Sequence, residues 1–336
     1  MSKQIDISVV GASTPIGEAL LEQLAERKFT IDNLIPLAFD DDTDTTIEFA
    51  GKNIHIQNIA TFNFSNVPLV FLCQLDESYQ GMIDRILDAG CRIIEIGSNL
   101  QNAPMVVANI NSEAALFEEN QHIRSATGLS VVLSQLLSPI VATPGIKALQ
   151  FTALQSVSDK GKAGVDELAM QTTSLLNTRP IKPSVFKKQI AFNVMTDDSD
   201  INNTGFTANE LDIIDELKLL LTDEGDSTLS LLPSLVHIPV FYGVSIDINL
   251  ELNTEMDLEN FRQAISSNSN IVIKSEDDLV TPVSHAAQMD QVFVNRLRTD
   301  MSDPRRINFW CVTDTIRSGS AINGVQIGEI LVKHHL

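Results

Sequence analysis

Along the first hundred residues, short apolar runs alternate with helix-spaced segments, and this rhythm limits the fold more than any other feature. Ile5–Val10 has strand length and character, and Ile16–Leu24 follows with apolar residues at helical spacing. Leu34–Phe39, Leu69–Cys73, Ile93–Ile96 and Met105–Ala108 read as further buried strands, with Tyr79–Ala89 as an intervening helix. Strands alternating with helices predict a parallel α/β sheet. The first strand runs into Val10-Gly11-Ala12-Ser13-Thr14-Pro15-Ile16-Gly17. Glycines in such a turn let the backbone approach a pyrophosphate, and a helix N-terminus attracts it. Gly11, Ser13, Thr14 and Gly17 are therefore the candidate cofactor-binding residues.

From about Leu129 the rhythm changes. Ser130–Ala142, Ala163–Leu176, Ala208–Leu221 and Asp257–Ser266 have helical spacing. Lys147–Val157, Gln291–Arg298 and Asn308–Thr313 read as strands, and Leu235–Leu252 reads as one long alternating strand. This pattern predicts an α+β region with a mixed sheet. Ser320–Val332 is a closing helix, and Thr196–Asn203 reads as a surface loop.

The 336 residues suffice for two domains, and 43% apolar with 20% charged is an ordinary globular mixture. A net charge of −21 disfavours nucleic acid and anionic membrane, because no positive field is present to release counterions. No apolar run reaches the roughly 18 residues that span a bilayer. The expected location is the cytoplasm. Cys73, Cys91 and Cys311 make neither a metal spacing nor a disulfide framework. No metal site is expected, the adjacent His334 and His335 included.

Several further segments carry a family likeness. Gln155-Ser156-Val157-Ser158 with Gly161-Lys162-Ala163-Gly164, Gln189-Ile190-Ala191-Phe192-Asn193-Val194, Pro239-Val240-Phe241-Tyr242-Gly243, Asp290–Arg298 and Ala321–Ile327 follow the glycine turn in order. Together they resemble the aspartate-semialdehyde dehydrogenase family over nearly the whole chain. The resemblance implies a Rossmann-like dinucleotide-binding domain plus an α+β dimerisation domain with a mixed sheet. It implies domains at 1–128 with 318–336 and at 129–317, and a homodimer. In the family a cysteine thiolate attacks the aldehyde, hydride passes to NADP, and phosphate displaces the acyl group.

Mapped onto that pattern, the reactive groups are missing. The nucleophilic cysteine corresponds to Gly128, in Ser125-Ala126-Thr127-Gly128-Leu129-Ser130, and the histidine base to Val244. The arginine that anchors the substrate carboxylate corresponds to His237, the phosphate-cradling arginine to Gln101, and the substrate-binding lysine to Asp212. Gln155, Asn193, Arg317, Asn323 and Gln326 match. The spacing needs no gaps: Gln155 lies 27 positions after Gly128, and Val244 seven after His237.

The nucleotide contacts also depart from the pattern. Thr14 replaces a glycine, Leu72–Ser78 replaces a Gly-Gly loop, and Asp40-Asp41-Asp42 stands where the 2′-phosphate of NADP is held. Like charges there repel that phosphate. No cofactor is expected; NADP is disfavoured, while an acid after the second strand still suits the ribose of NAD. The expectation is a non-catalytic homologue that binds an unidentified protein or small-molecule ligand. The alternatives are an aldehyde oxidoreductase using NAD(P) in amino-acid biosynthesis, or a different reaction in the same cleft. The last would need a fresh cluster of ionisable groups, and none stands out along the sequence.

Overall fold

The computed structural model describes residues 4–39, 45–74, 80–97, 103–222 and 228–336. They form two compact units, Met1–Val131 with Gly319–Leu336, and Val132–Ser318.

The first unit carries strands β1 (Ile5–Val10), β2 (Ile31–Ala38), β3 (Thr46–Phe49), β4 (Lys52–His55), β5 (Gln57–Asn58), β6 (Leu69–Leu72), β7 (Arg92–Glu95), β8 (Met105–Val106) and β9 (His122–Ser125). Seven of them make one sheet, ordered β5-β2-β1-β6-β7-β9-β8, and every pairing in it is parallel. Alternate residues of each strand face opposite sides, so the sheet builds two cores. Ile7, Val9, Phe71, Leu20, Leu24 and Val325 join one, with helices α1 (Pro15–Glu26) and α7 (Ile322–His334). Val10, Leu37, Val70, Ile86 and Ile93 join the other, with α2 (Gln80–Asp88). β1 lies between β2 and β6, so the strand order reverses beside the glycine turn. Open α/β sheets bind ligands at such a reversal. β3 and β4 pair as a hairpin that the sequence pattern did not anticipate. Its turn is Ala50-Gly51, both at positive φ (49° and 77°), a geometry for which alanine is an unexpected residue.

The second unit holds β10 (Ile146–Gln155), β11 (Met195–Thr196), β12 (Ser230–His237), β13 (Val244–Leu252), β14 (Ile271–Ile273), β15 (Val292–Thr299) and β16 (Arg306–Thr313). They form a mixed sheet ordered β11-β12-β10-β13-β16-β15-β14. Here α3 (Gly128–Ala142) enters, and α4 (Gly161–Leu176), α5 (Ala208–Leu221) and α6 (Leu258–Ile265) follow. A capping box starts α5: Thr207 and Glu210 exchange side-chain and backbone hydrogen bonds.

The single strand expected over Leu235–Leu252 is two strands. β12 pairs with β10 in parallel, and β13 pairs with β10 antiparallel on its other edge. Pro239 lacks a ladder donor and Gly243 sits at φ 84°, which breaks the run although its apolar alternation continues. No described helix is long and apolar enough to cross a membrane.

Candidate functional site

In the first unit the glycines of the turn are required by close packing. Gly11 has φ 75°, and a β-carbon on it would lie 2.6 Å from Gln74 Cβ. One on Gly17 would lie 2.1 Å from the Gly11 carbonyl oxygen. Thr14 caps α1, its hydroxyl accepting from the Gly17 N–H (3.1 Å) and donating to the Gly11 carbonyl (2.7 Å). Pro15 occupies the first helical position, where a missing N–H costs nothing. Ser13 is half-buried beside them. Asp40–Asp42, the stretch 75–78 and Gln101 lie outside the described residues.

Gly128 opens α3. A β-carbon on Gly319 would sit 2.3 Å from the Gly128 carbonyl oxygen and 2.7 Å from its Cα, so these two backbones meet directly. The neighbouring hydroxyls are engaged. Ser125, fully buried, accepts from Asn323 Nδ2 (2.7 Å) and donates to the Ala126 carbonyl (2.9 Å), while Thr127 donates to Ser130 (3.0 Å). Asn323 also takes the Ala108 N–H (2.8 Å) and donates to the Val106 carbonyl (3.0 Å). No cysteine takes the nucleophile's place: all three are buried, and burial pushes the Cys91 thiol up to about 11 and the Cys311 thiol to about 12.

The second unit brings three of the mapped positions into one row. Across neighbouring strands, Met195, His237, Gln155, Val244 and Thr313 are successive register partners. Directly paired residues point to the same face of a sheet, so His237, Gln155 and Val244 stand shoulder to shoulder. Val244 is buried and offers no proton-moving group. Gln155 Nε2 donates to Asp159 (3.3 Å), and its Oε1 is buried without a partner.

His237 is wholly buried. Its Nε2 lies 3.4 Å from Asp197 Oδ1 and 3.7 Å from Asp198 Oδ1, ion-pair distances at which neither ring nitrogen makes a directed hydrogen bond. The Phe186 ring packs edge-on against it, centroids 5.4 Å apart. Asp197 accepts from Ser199 and from Asn209 (3.0 Å). Burial alone would raise its carboxyl; the His237 ring, Ser199, Thr207 and Asn209 outweigh that and hold it well below the usual carboxylate range. Asp198 accepts from the Lys187 N–H (2.9 Å) and pairs with Lys160 Nζ (3.0 Å), which likewise outweigh burial and lower its carboxyl.

Asp197 and Asp198 belong to the stretch read above as a surface loop. That reading is wrong for Asp197, which is only 4% exposed. The cluster is the fresh group of ionisable side chains that the linear sequence conceals. Nothing in the local composition could have found it, because the partner imidazole arrives on a strand far along the chain. Asp212 is half-buried on α5, and Asn193 is exposed and bonds locally to Gln189. Arg317 is buried in an ion pair with Asp290.

Two family models match the chain: a semialdehyde dehydrogenase NAD binding domain over residues 6–116, and a semialdehyde dehydrogenase dimerisation domain over residues 137–318. Aspartate-semialdehyde dehydrogenase 2 of Vibrio cholerae is 33% identical over 339 residues, all of both chains. The chain belongs to the aspartate-semialdehyde dehydrogenase family. Among family members, a Pseudomonas aeruginosa USG-1 protein homolog is also 33% identical over the full length of both chains. The crystal structure of aspartate semialdehyde dehydrogenase II from Vibrio cholerae, complexed with ASA, superimposes with a TM-score of 0.94 at 32% identity over both whole chains. This aspartate-semialdehyde dehydrogenase-family chain thus has the Rossmann-like NAD-binding domain and the mixed-sheet dimerisation domain that the resemblance implied.

Proposed function

We propose that this family member does not oxidise an aldehyde and acts instead by binding a protein or small-molecule ligand, as a homodimer. One observation carries the reading. The residue aligned with the carboxylate anchor, His237, is fully buried and faces two carboxylates at 3.4 and 3.7 Å. The substrate's carboxylate would meet negative charge where the reaction needs a bidentate cation.

Gly128 and Val244 support the same reading, since nucleophile and base act as a unit and the loss of either removes most of the benefit of the other. The glycine turn does not fit a nicotinamide nucleotide well. Thr14 stands at the middle position of the turn, where a close ligand needs bare backbone, and its hydroxyl already satisfies the Gly17 N–H. The dimerisation-type domain supports self-association, and the partly exposed Leu232, Leu154 and Trp310 leave apolar surface on that sheet.

The test is direct. Purified protein with aspartate semialdehyde, phosphate and NADP is expected to give no NADPH absorbance above a protein-free control. Turnover that disappears on Gln155→Ala would sink the reading. Thermal shift with NADP is expected to be nil, and light scattering at micromolar concentration is expected to give twice the chain mass.

A further inference from the structure

We propose that Asp197, Asp198 and His237 form a binding site for one divalent first-row transition-metal cation. Each residue offers one ligand atom, and the three atoms lie within 4.8 Å of one another. Metal–ligand bonds of about 2.0–2.2 Å place neighbouring donors roughly 3–4 Å apart. The 3.4 and 3.7 Å separations from His237 Nε2 already fall in that range.

Burial supplies the second observation. His237 is 0% exposed, yet both ring nitrogens lack a hydrogen-bond partner, as does Oε1 of its register neighbour Gln155. A buried polar atom without a partner costs about 1–3 kcal/mol; of these, Nε2 is the one that faces both carboxylates, and an ion there would give it a directed partner. Asp197 and Asp198 make the surroundings anionic, which selects a cation.

The donor set narrows the ion. One imidazole nitrogen with two carboxylate oxygens suits Zn²⁺, Mn²⁺ or Co²⁺, and lacks the all-oxygen shell that Ca²⁺ or Mg²⁺ prefers. The supporting shell is built. Ser199 and Asn209 orient Asp197, the Lys187 N–H orients Asp198, and the Phe186 edge holds the imidazole. Lys160 Nζ, 3.0 Å from Asp198 Oδ1, occupies one corner of the site. Its side chain is a quarter exposed and can swing to water, so the ammonium acts as a built-in competitor for the ion. This assignment stands whether or not the chain is catalytic.

The experiment is calorimetric titration of the chelator-stripped full chain with Zn²⁺ and, separately, Mn²⁺, with Co²⁺ absorption as a spectroscopic check. One saturating equivalent per chain is expected. His237→Gln and Asp198→Asn should each weaken binding at least tenfold, and Lys160→Met should tighten it. His334→Gln should leave it unchanged, which separates this site from the C-terminal histidine pair. Thermal unfolding of each variant without metal confirms that it is folded. No saturable binding by the parent chain overturns the proposal, as does binding that survives His237→Gln.

Discussion

Two buried polar centres of this chain are built to opposite rules. In the first unit, Asn323 is wholly buried and uses both ends of its amide, tying β8, the segment after it, and Ser125 of β9. In the second unit, His237 is equally buried and its ring nitrogens are unpartnered. Both residues lie at positions matched to the family's site. Asn323 has become, or always was, a structural bridge. His237 faces two carboxylates. Satisfied polar burial marks architecture, and unsatisfied polar burial marks a place where something outside the chain is wanted.

Substitutions can break this contrast. Asn323→Leu is expected to cost about 3 kcal/mol or more, because it strands the Ala108 N–H and the Val106 carbonyl away from water. Urea unfolding measures it, and a loss below about 1 kcal/mol would erase the distinction between the two centres.

Glu167 sharpens the contrast from within the second unit. Its carboxylate accepts from Gln171 (2.6 Å), from the Ser184 N–H and hydroxyl, and from the Val185 N–H, clamping that segment to α4. Burial would raise its carboxyl, but these donors prevail and lower it. A lowered folded-state value stabilises the protein above the ordinary glutamate range, and this contribution fades as pH falls through the folded value. Glu167→Gln should therefore cost about 2 kcal/mol near pH 7, with the deficit shrinking as pH falls from 5 towards 3. A pH-independent deficit in urea midpoints would refute the assignment.

Thr14→Ala removes a helix cap and should cost about 1 kcal/mol. It should not by itself create NAD affinity; new affinity in a thermal-shift titration would show that the cap was the barrier. The smallest effect is expected at His237. Without metal, His237→Leu both relieves two unpartnered ring nitrogens and removes the ring that helps hold the Asp197 carboxyl low, so the opposing effects should leave a net shift below about 1 kcal/mol in either direction. A large loss would place the imidazole among the structural bridges beside Asn323.

Much of the fold was legible in the sequence because it rests on local periodicity. β1, α5 and the alternation through β7 follow from apolar spacing alone. What could not be read is non-local. β12 and β13 merge in the sequence because the turn between them keeps the alternation, and only their pairing to opposite edges of β10 separates them. The Ala50-Gly51 hairpin hides because alanine seldom adopts positive φ. Of the candidate site, the proposed losses at Gly128 and Val244 rest on residue type alone and so are readable in the sequence. The Asp197–Asp198–His237 cluster was not, because two aspartates in a polar stretch look solvated until a distant imidazole lands beside them.

The closing helix α7 also sets the timetable of synthesis. A ribosome delivers the first strands of the parallel sheet earliest, yet Asn323 and Val325, which complete that unit, are made only after the whole second unit. Until α7 emerges, the Ala108 N–H and the Ser125 hydroxyl lack their amide partner, and the apolar face that receives the helix is uncovered. The unit begun first is completed only after the second unit has been made, and while it waits it exposes apolar surface of the kind that invites aggregation.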